Sequence, residues 1–131
     1  MVETTTGKVY RNKWLEQPDY GIRIEPARKH VRVSFAGQVV AESEQALLFI
    51  EPNHGPVYYL PRAESNMALL SPTDNHTHCP WKGHASYYTI SVGERVAENA
   101  VWSYEDPYPE IIGVKGYLAF YPDRVDEISV D

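Results

Sequence analysis

The chain has 131 residues, 43% of them apolar and 23% charged, with 18 acidic against 12 basic side chains and a net charge of −6. That is one domain's length, enough to bury an ordinary core, and its composition is that of a folded chain. There is no Lys/Arg cluster to neutralise phosphates and no apolar run near the ~18 residues of a membrane helix. Neither nucleic acid nor a membrane is therefore an expected partner. The first residues lack the apolar segment of a signal peptide, and the lone Cys79 cannot close an internal disulfide. Both point to the reducing cytoplasm. Asn75-His76-Thr77 fits a glycosylation acceptor, and with no secretory route it reads as chance.

Residues 1–12 are polar and Thr-rich and read as a loose end. Trp14 and Leu15 are the first apolar anchors, and residues 20–24 make a short edge strand before Pro26. Residues 31–35 alternate, with Val31, Val33 and Phe35 on one face; Ala36-Gly37 turns the chain, and residues 38–41 run back as a hairpin. Residues 46–50 are too short to separate strand from helix by period. The turn at residues 52–56 and the β-rich Val57-Tyr58-Tyr59-Leu60 make a second hairpin, ended by Pro61. Ala63, Met67 and Leu70 recur at helical spacing before Pro72, which predicts one short helical segment. Residues 71–83, rich in Pro, Asp, Asn and His, read as a loop. Residues 85–92 and 96–104 alternate around a turn at residues 93–95; residues 105–110 form a Pro-rich loop, and residues 116–121 the last strand before an acidic tail. The expectation is a mainly β chain: a single compact two-layer antiparallel domain of about seven to nine strands. It spans residues 25–131 behind an N-terminal extension, residues 1–24.

The chemistry concentrates in Thr77-His78-Cys79-Pro80-Trp81-Lys82-Gly83, which packs the only thiol, a cation and an indole between Pro and Gly. Cys79 is the candidate nucleophile if His78 or Lys82 draws its proton, and equally a small buried hydrophobe, because no cysteine-hydrolase pattern surrounds it. His54, His76, His78 and His84 with Cys79 raise a metal reading, but zinc-type thiolate pairs are missing, so no metal and no cofactor are expected. No Gly-rich phosphate loop or nucleophile elbow occurs. Trp81, Tyr87, Trp102 and Tyr104, with Tyr58 and Tyr59, can line a concave β surface that stacks planar groups, with Arg62, Lys82 or Glu105 fixing polar ends. The same alternation also places part of this set in the core.

His78-Cys79-Pro80-Trp81-Lys82-Gly83 with Ala85-Ser86-Tyr87-Tyr88, the run from Asn99 to Pro107, and Gly116 to Tyr121 resemble the family catalogued as domain of unknown function 427. The resemblance covers roughly residues 25 to 126 and includes Val31-Arg32-Val33, Gly37 with Val40-Ala41, and residues 58–61. It implies a β-tent-like fold similar to methionine sulfoxide reductase B, the Mss-four-like proteins and the ligand-binding domain of cereblon. Several of these hold zinc through two CxxC pairs, which one cysteine cannot supply. A nucleotidyltransferase-like label attached to the family finds no paired-carboxylate site here.

The expected function is small-molecule binding in an aromatic-lined cleft beside the 79–83 loop, with Tyr58, Arg62, His78, Cys79, Lys82, Tyr87, Trp102 and Glu105 as ligand-binding residues. The alternatives are a thiol-dependent enzyme using Cys79, needing an external thiol to resolve a sulfenic acid, and a homodimer or other interaction module whose face is covered by tyrosines.

Overall fold

The computed structural model describes the backbone of residues 2–5 and 8–131, and side chains from Arg11 onward. Its strands are β1 (Val2–Thr5), β2 (Lys8–Arg11), β3 (Arg23–Pro26), β4 (Val31–Phe35), β5 (Gln38–Ser43) and β6 (Leu47–Ile50). They continue as β7 (Val57–Tyr59), β8 (Leu70–Cys79), β9 (Gly83–Val92), β10 (Arg95–Pro107), β11 (Leu118–Phe120) and β12 (Glu127–Val130). Every strand pairing is antiparallel. Besides the β1–β2 pair there are three sheets, ordered β11-β10-β9-β8, β12-β4-β5 and β3-β6-β7. The chain is mainly β, as its alternation predicts, and the helical segment is realised as short 3-10 turns at Arg62–Glu64 and Met67–Leu69.

Alternation sorts β9, β10 and β11 of the four-stranded sheet between two cores. Tyr88 and Ile90 of β9, Val101 of β10, and Leu118 and Phe120 of β11 join Val31, Val33, Phe35 and Val40 in the first. Ala85 and Tyr87 of β9, Tyr104 of β10 and Ala119 of β11 join Trp14, Phe49, Tyr59 and Ile111 in the second. Leu60 and Leu118 exchange backbone hydrogen bonds of 2.8 and 2.9 Å, which couples β7 to β11 and sets the β3-β6-β7 sheet over the second core.

Four expectations change. The edge strand before the first hairpin is Arg23–Pro26 and not residues 20–24, because its register is set by pairing of Ile24 with Phe49. Residues 71–83 are mostly strand: β8 is an edge, and pairing with one neighbour holds it extended while most of its side chains stay in water, the Pro72 ring included. The acidic tail supplies β12, which lays Ile128 against Val33. Of the polar start, Met1, Thr6 and Gly7 lie outside the described residues, while β1 and β2 pair with each other.

The Ala36-Gly37 turn forms as predicted. Both residues take positive φ, 51° and 78°, between the paired Phe35 and Gln38, the geometry of a two-residue hairpin turn. Asp126 accepts the Ala36 N–H at 2.8 Å and is gripped by Arg95 from both guanidinium nitrogens. Among the described residues no helix is long and apolar enough to cross a membrane.

Candidate functional site

The 79–83 stretch is the turn between β8 and β9. Pro80 fixes φ at its second position, the Lys82 N–H returns to the Cys79 carbonyl at 3.2 Å, and Gly83 follows at φ 106°. A Cβ at Gly83 would lie 3.5 Å from both the Asp106 carbonyl and the Tyr108 nitrogen, an ordinary contact, so it is the positive φ that makes this position one for glycine.

The turn is clasped by residues 13–20. Lys13 N–H donates to the Pro80 carbonyl at 3.0 Å, and the Trp14 indole donates to the Trp81 carbonyl at 2.6 Å. Tyr20 stacks on Trp81 at 3.7 Å and 10°. Lys82 reaches inward, its Nζ 2.8 Å from Glu51, which is only 7% exposed and also accepts the Tyr20 hydroxyl at 2.9 Å. Glu51, Tyr20 and Trp14 were not legible as partners of the turn. An acid closing the apolar run Leu47–Ile50 before a Pro-containing turn reads as solvated, and nothing local aims it at Lys82.

The eight predicted site residues divide by strand face. Cys79, Tyr87 and Trp102 share the second-core side: Thr77, two residues before Cys79, bonds the Tyr87 hydroxyl at 2.8 Å, and Trp102 pairs with Tyr87 across β9 and β10. Cys79 is half-buried. His78 points to the opposite face, where its Nε2 donates to the Arg11 carbonyl at 2.8 Å and its ring meets His84 and Tyr108. Arg62 and Glu105 lie on the first-core side, 3.5 Å apart. Arg62 donates to the Tyr88 hydroxyl at 2.8 Å, the Ser103 hydroxyl at 3.3 Å and the Gly116 carbonyl at 3.2 Å. It is a structural tie between the 61–64 turn and the sheet.

This placement bears on the chemistry. His78 is turned away from Cys79 by the pleat, and Lys82 spends its ammonium on Glu51, so neither is placed to draw the thiol proton. Among the described residues no three His, Cys, Asp or Glu side chains gather to hold a metal ion.

Trp102 is the hinge of the arrangement. Its indole donates to the Tyr59 hydroxyl at 3.1 Å and its ring leans on Tyr121, 4.5 Å between centroids. Beside it opens a groove of 300 Å³, lined by Tyr58, Val57, Leu60, Phe120, Ile128 and Val130 among others. It sits where β7, β11 and β12 approach one another. A wider groove of 610 Å³ is lined by residues 28–30 and 44–47; Arg28, Lys29, Glu44 and Asp131 give it charges of both signs, and Pro26, Ala46, Leu47 and Tyr117 supply its apolar wall.

Inside the second core, burial pushes the Tyr59 phenol well above its usual range, with Cys79, Glu51 and Tyr121 adding to the effect. Burial does the same to Tyr104, reinforced by Tyr59, Cys79, Tyr87 and Tyr121. Tyr121 is pushed up to about 12, by burial first and then by Tyr87. A phenol raised in the fold contributes stability that is complete below its unfolded value of ~10 and is lost as pH rises. Ultraviolet titration of phenolate should therefore show Tyr59 and Tyr104 silent in the folded protein and ionising together with alkaline unfolding. Removing both hydroxyls, in Tyr59→Phe/Tyr104→Phe, should move that unfolding to higher pH.

A family model described as a domain of unknown function (DUF427) matches residues 23–131. The chain belongs to that family. The matched stretch of this DUF427 domain opens on Arg23, the first residue of β3, and contains all eight predicted site residues together with Glu51. Trp14 and Tyr20, which clasp the turn, precede it. No curated protein matches the chain.

Proposed function

We propose that this DUF427 domain is a small-molecule-binding protein whose ligand, compact and largely apolar, lies against Trp102 and Tyr58. The observation that carries this reading is the 300 Å³ groove, whose walls are almost wholly apolar side chains and which leaves the Trp102 indole half-buried. A recess of that size matches the lower end of ligand pockets, and an aromatic wall gives a planar ligand a face to stack on. The ligand's seat is thus beside Trp102, at the meeting of β7, β11 and β12, instead of on the 79–83 turn. The lone thiol supports a cytoplasmic setting.

Toluene titrated into methyl-labelled protein tests it. Saturable shifts are expected at Val57, Ile128 and the Trp102 indole. Val130→Trp, at a margin position 37% exposed, should fill the mouth and weaken binding by at least ~tenfold, about 1.4 kcal/mol. Shifts scattered over the surface, or unchanged in Val130→Trp, would remove the groove as the ligand site.

A further inference from the structure

In an antiparallel strand each residue points its N–H and C=O to one side, and the next residue points them to the other. Ala27 N–H donates to the Ala46 carbonyl, so by alternation Leu48 turns its main-chain groups to β3. Tyr58, opposite Leu48, therefore faces away from β6. Tyr121 N–H donates to the Ala100 carbonyl, so Phe120, opposite Val101, likewise faces away from β10. Leu60 and Leu118, each two residues along, follow the same phase and bond each other. The pairing stops there: among the described residues no ladder or hydrogen bond joins Tyr58 to Phe120. The N–H and C=O of both residues thus face the slot between β7 and β11. The 300 Å³ groove lies at this slot, taking Trp102 from one face of the pleat and Tyr58, Leu60 and Phe120 from the other. Two residues further on stand Pro56 and Pro122, which also line the groove and have no N–H. Each strand therefore offers the slot one free donor.

We infer that the ligand of this groove is peptide-like: one uncharged, apolar peptide unit whose N–H goes to one strand and whose C=O goes to the other. The inference rests on the groove being the ligand seat, and it names the polar chemistry that seat selects. A hydrocarbon would cover the walls and leave the main-chain groups of Tyr58 and Phe120 unmet, the latter in a residue only 4% exposed. A carboxylate or ammonium would leave water with no opposite charge among the side chains that line the groove. A peptide unit carries one donor and one acceptor pointing in opposite directions, which is what two strand edges meet when an extended segment lies between them. The two prolines limit the addition to a single unit, in keeping with the small volume.

The test titrates N-acetyl-leucine N-methylamide into the full chain, with three comparison compounds: its isostere with both N–H groups replaced by ester oxygens, free leucine, and toluene. The Tyr58 and Phe120 amide protons report the main-chain bonds, and the Ile128 methyl reports the groove. The diamide should shift both amide protons downfield saturably and slow their exchange with solvent. The ester should bind at least ~tenfold more weakly, and leucine more weakly still. Val130→Trp should weaken the diamide as it weakens toluene; the ester comparison, made on wild type, decides the matter if that variant folds poorly. An ester or free leucine binding as well as the diamide would overturn the inference. So would Tyr58 and Phe120 amides that stay unchanged at saturation, since water alone then serves them. In each of those cases toluene shifts at Ile128 would leave the groove standing as an apolar seat. If toluene and the diamide both leave Ile128 unmoved, the groove itself falls and the inference falls with it.

Discussion

Replacing Lys82 by methionine is expected to destabilise the domain by about 3 kcal/mol, whereas Glu51→Gln/Lys82→Met should recover to within about 1 kcal/mol of wild type. Glu51 is 7% exposed and the Lys82 side chain 19%, and they meet at 2.8 Å. Two charges this far from water hold each other in place, and their net contribution over a neutral pair is small. Removing one partner is a different matter, because the surviving carboxylate keeps its burial and loses its ammonium, with only the exposed His54 imidazole left at 3.7 Å. Tyr20, whose hydroxyl donates to the same carboxylate, cannot replace an ammonium. Urea denaturation of the three proteins, compared at constant slope, reads the difference. A single variant within about 0.5 kcal/mol of wild type would mean that the pair is solvated, as exposed pairs are. Methionine fits the stem of Lys82 over the Phe49 ring, where the ammonium lies 5.4 Å from the centroid, so the loss is one of charge more than of packing.

Arg62→Met should cost about 2 kcal/mol, and Arg62→Lys should recover less than half of it. Arg62 uses one planar fork on three acceptors that belong to three parts of the chain: Tyr88 of β9, Ser103 of β10 and Gly116 before β11. Ser103 is fully buried, and its own proton goes to the Tyr117 carbonyl at 2.8 Å. Loss of the guanidinium leaves acceptors in or near the first core without a donor, each costing of order 1 kcal/mol net. Lysine carries a point charge at the end of a flexible stem and cannot span the three directions. If Arg62→Met instead left stability unchanged and altered only binding of a small molecule, Arg62 would be a ligand residue and not a tie. Glu105, 51% exposed, contributes little through its 3.5 Å approach, and Glu105→Gln serves as a near-neutral control.

Where the chain alternated against a buried partner, its structure was legible. Val31, Val33 and Phe35 are all at most 3% exposed, the Ala36-Gly37 turn has the two positive φ values its sequence asks for, and residues 85–92 lie within a strand. The β8 strand was not legible, because an edge strand with water on most of its side chains carries no hydrophobic period; only the ladder to β9 holds it extended. The same holds for β12, where two apolar residues in an acidic tail gain meaning from Val31 and Val33 across the pair.

The site divides along the same line. The sequence by itself determined that the Cys79–Gly83 stretch is a shaped turn, since Pro at its second position and Gly at its end permit little else, and that aromatic side chains crowd the strands after it. Tertiary structure alone decided which of them act together. Neighbours in the chain alternate across the pleat, so His78 parts from Cys79, and Arg62 and Glu105 fall on the far side of the sheet from Tyr87 and Trp102. It was long-range packing that brought Glu51 to Lys82, set Tyr20 on Trp81, and put the Trp102 indole on the Tyr59 hydroxyl. A side chain's type states what it can donate or accept; burial and the partner that packing supplies decide whether it has already done so.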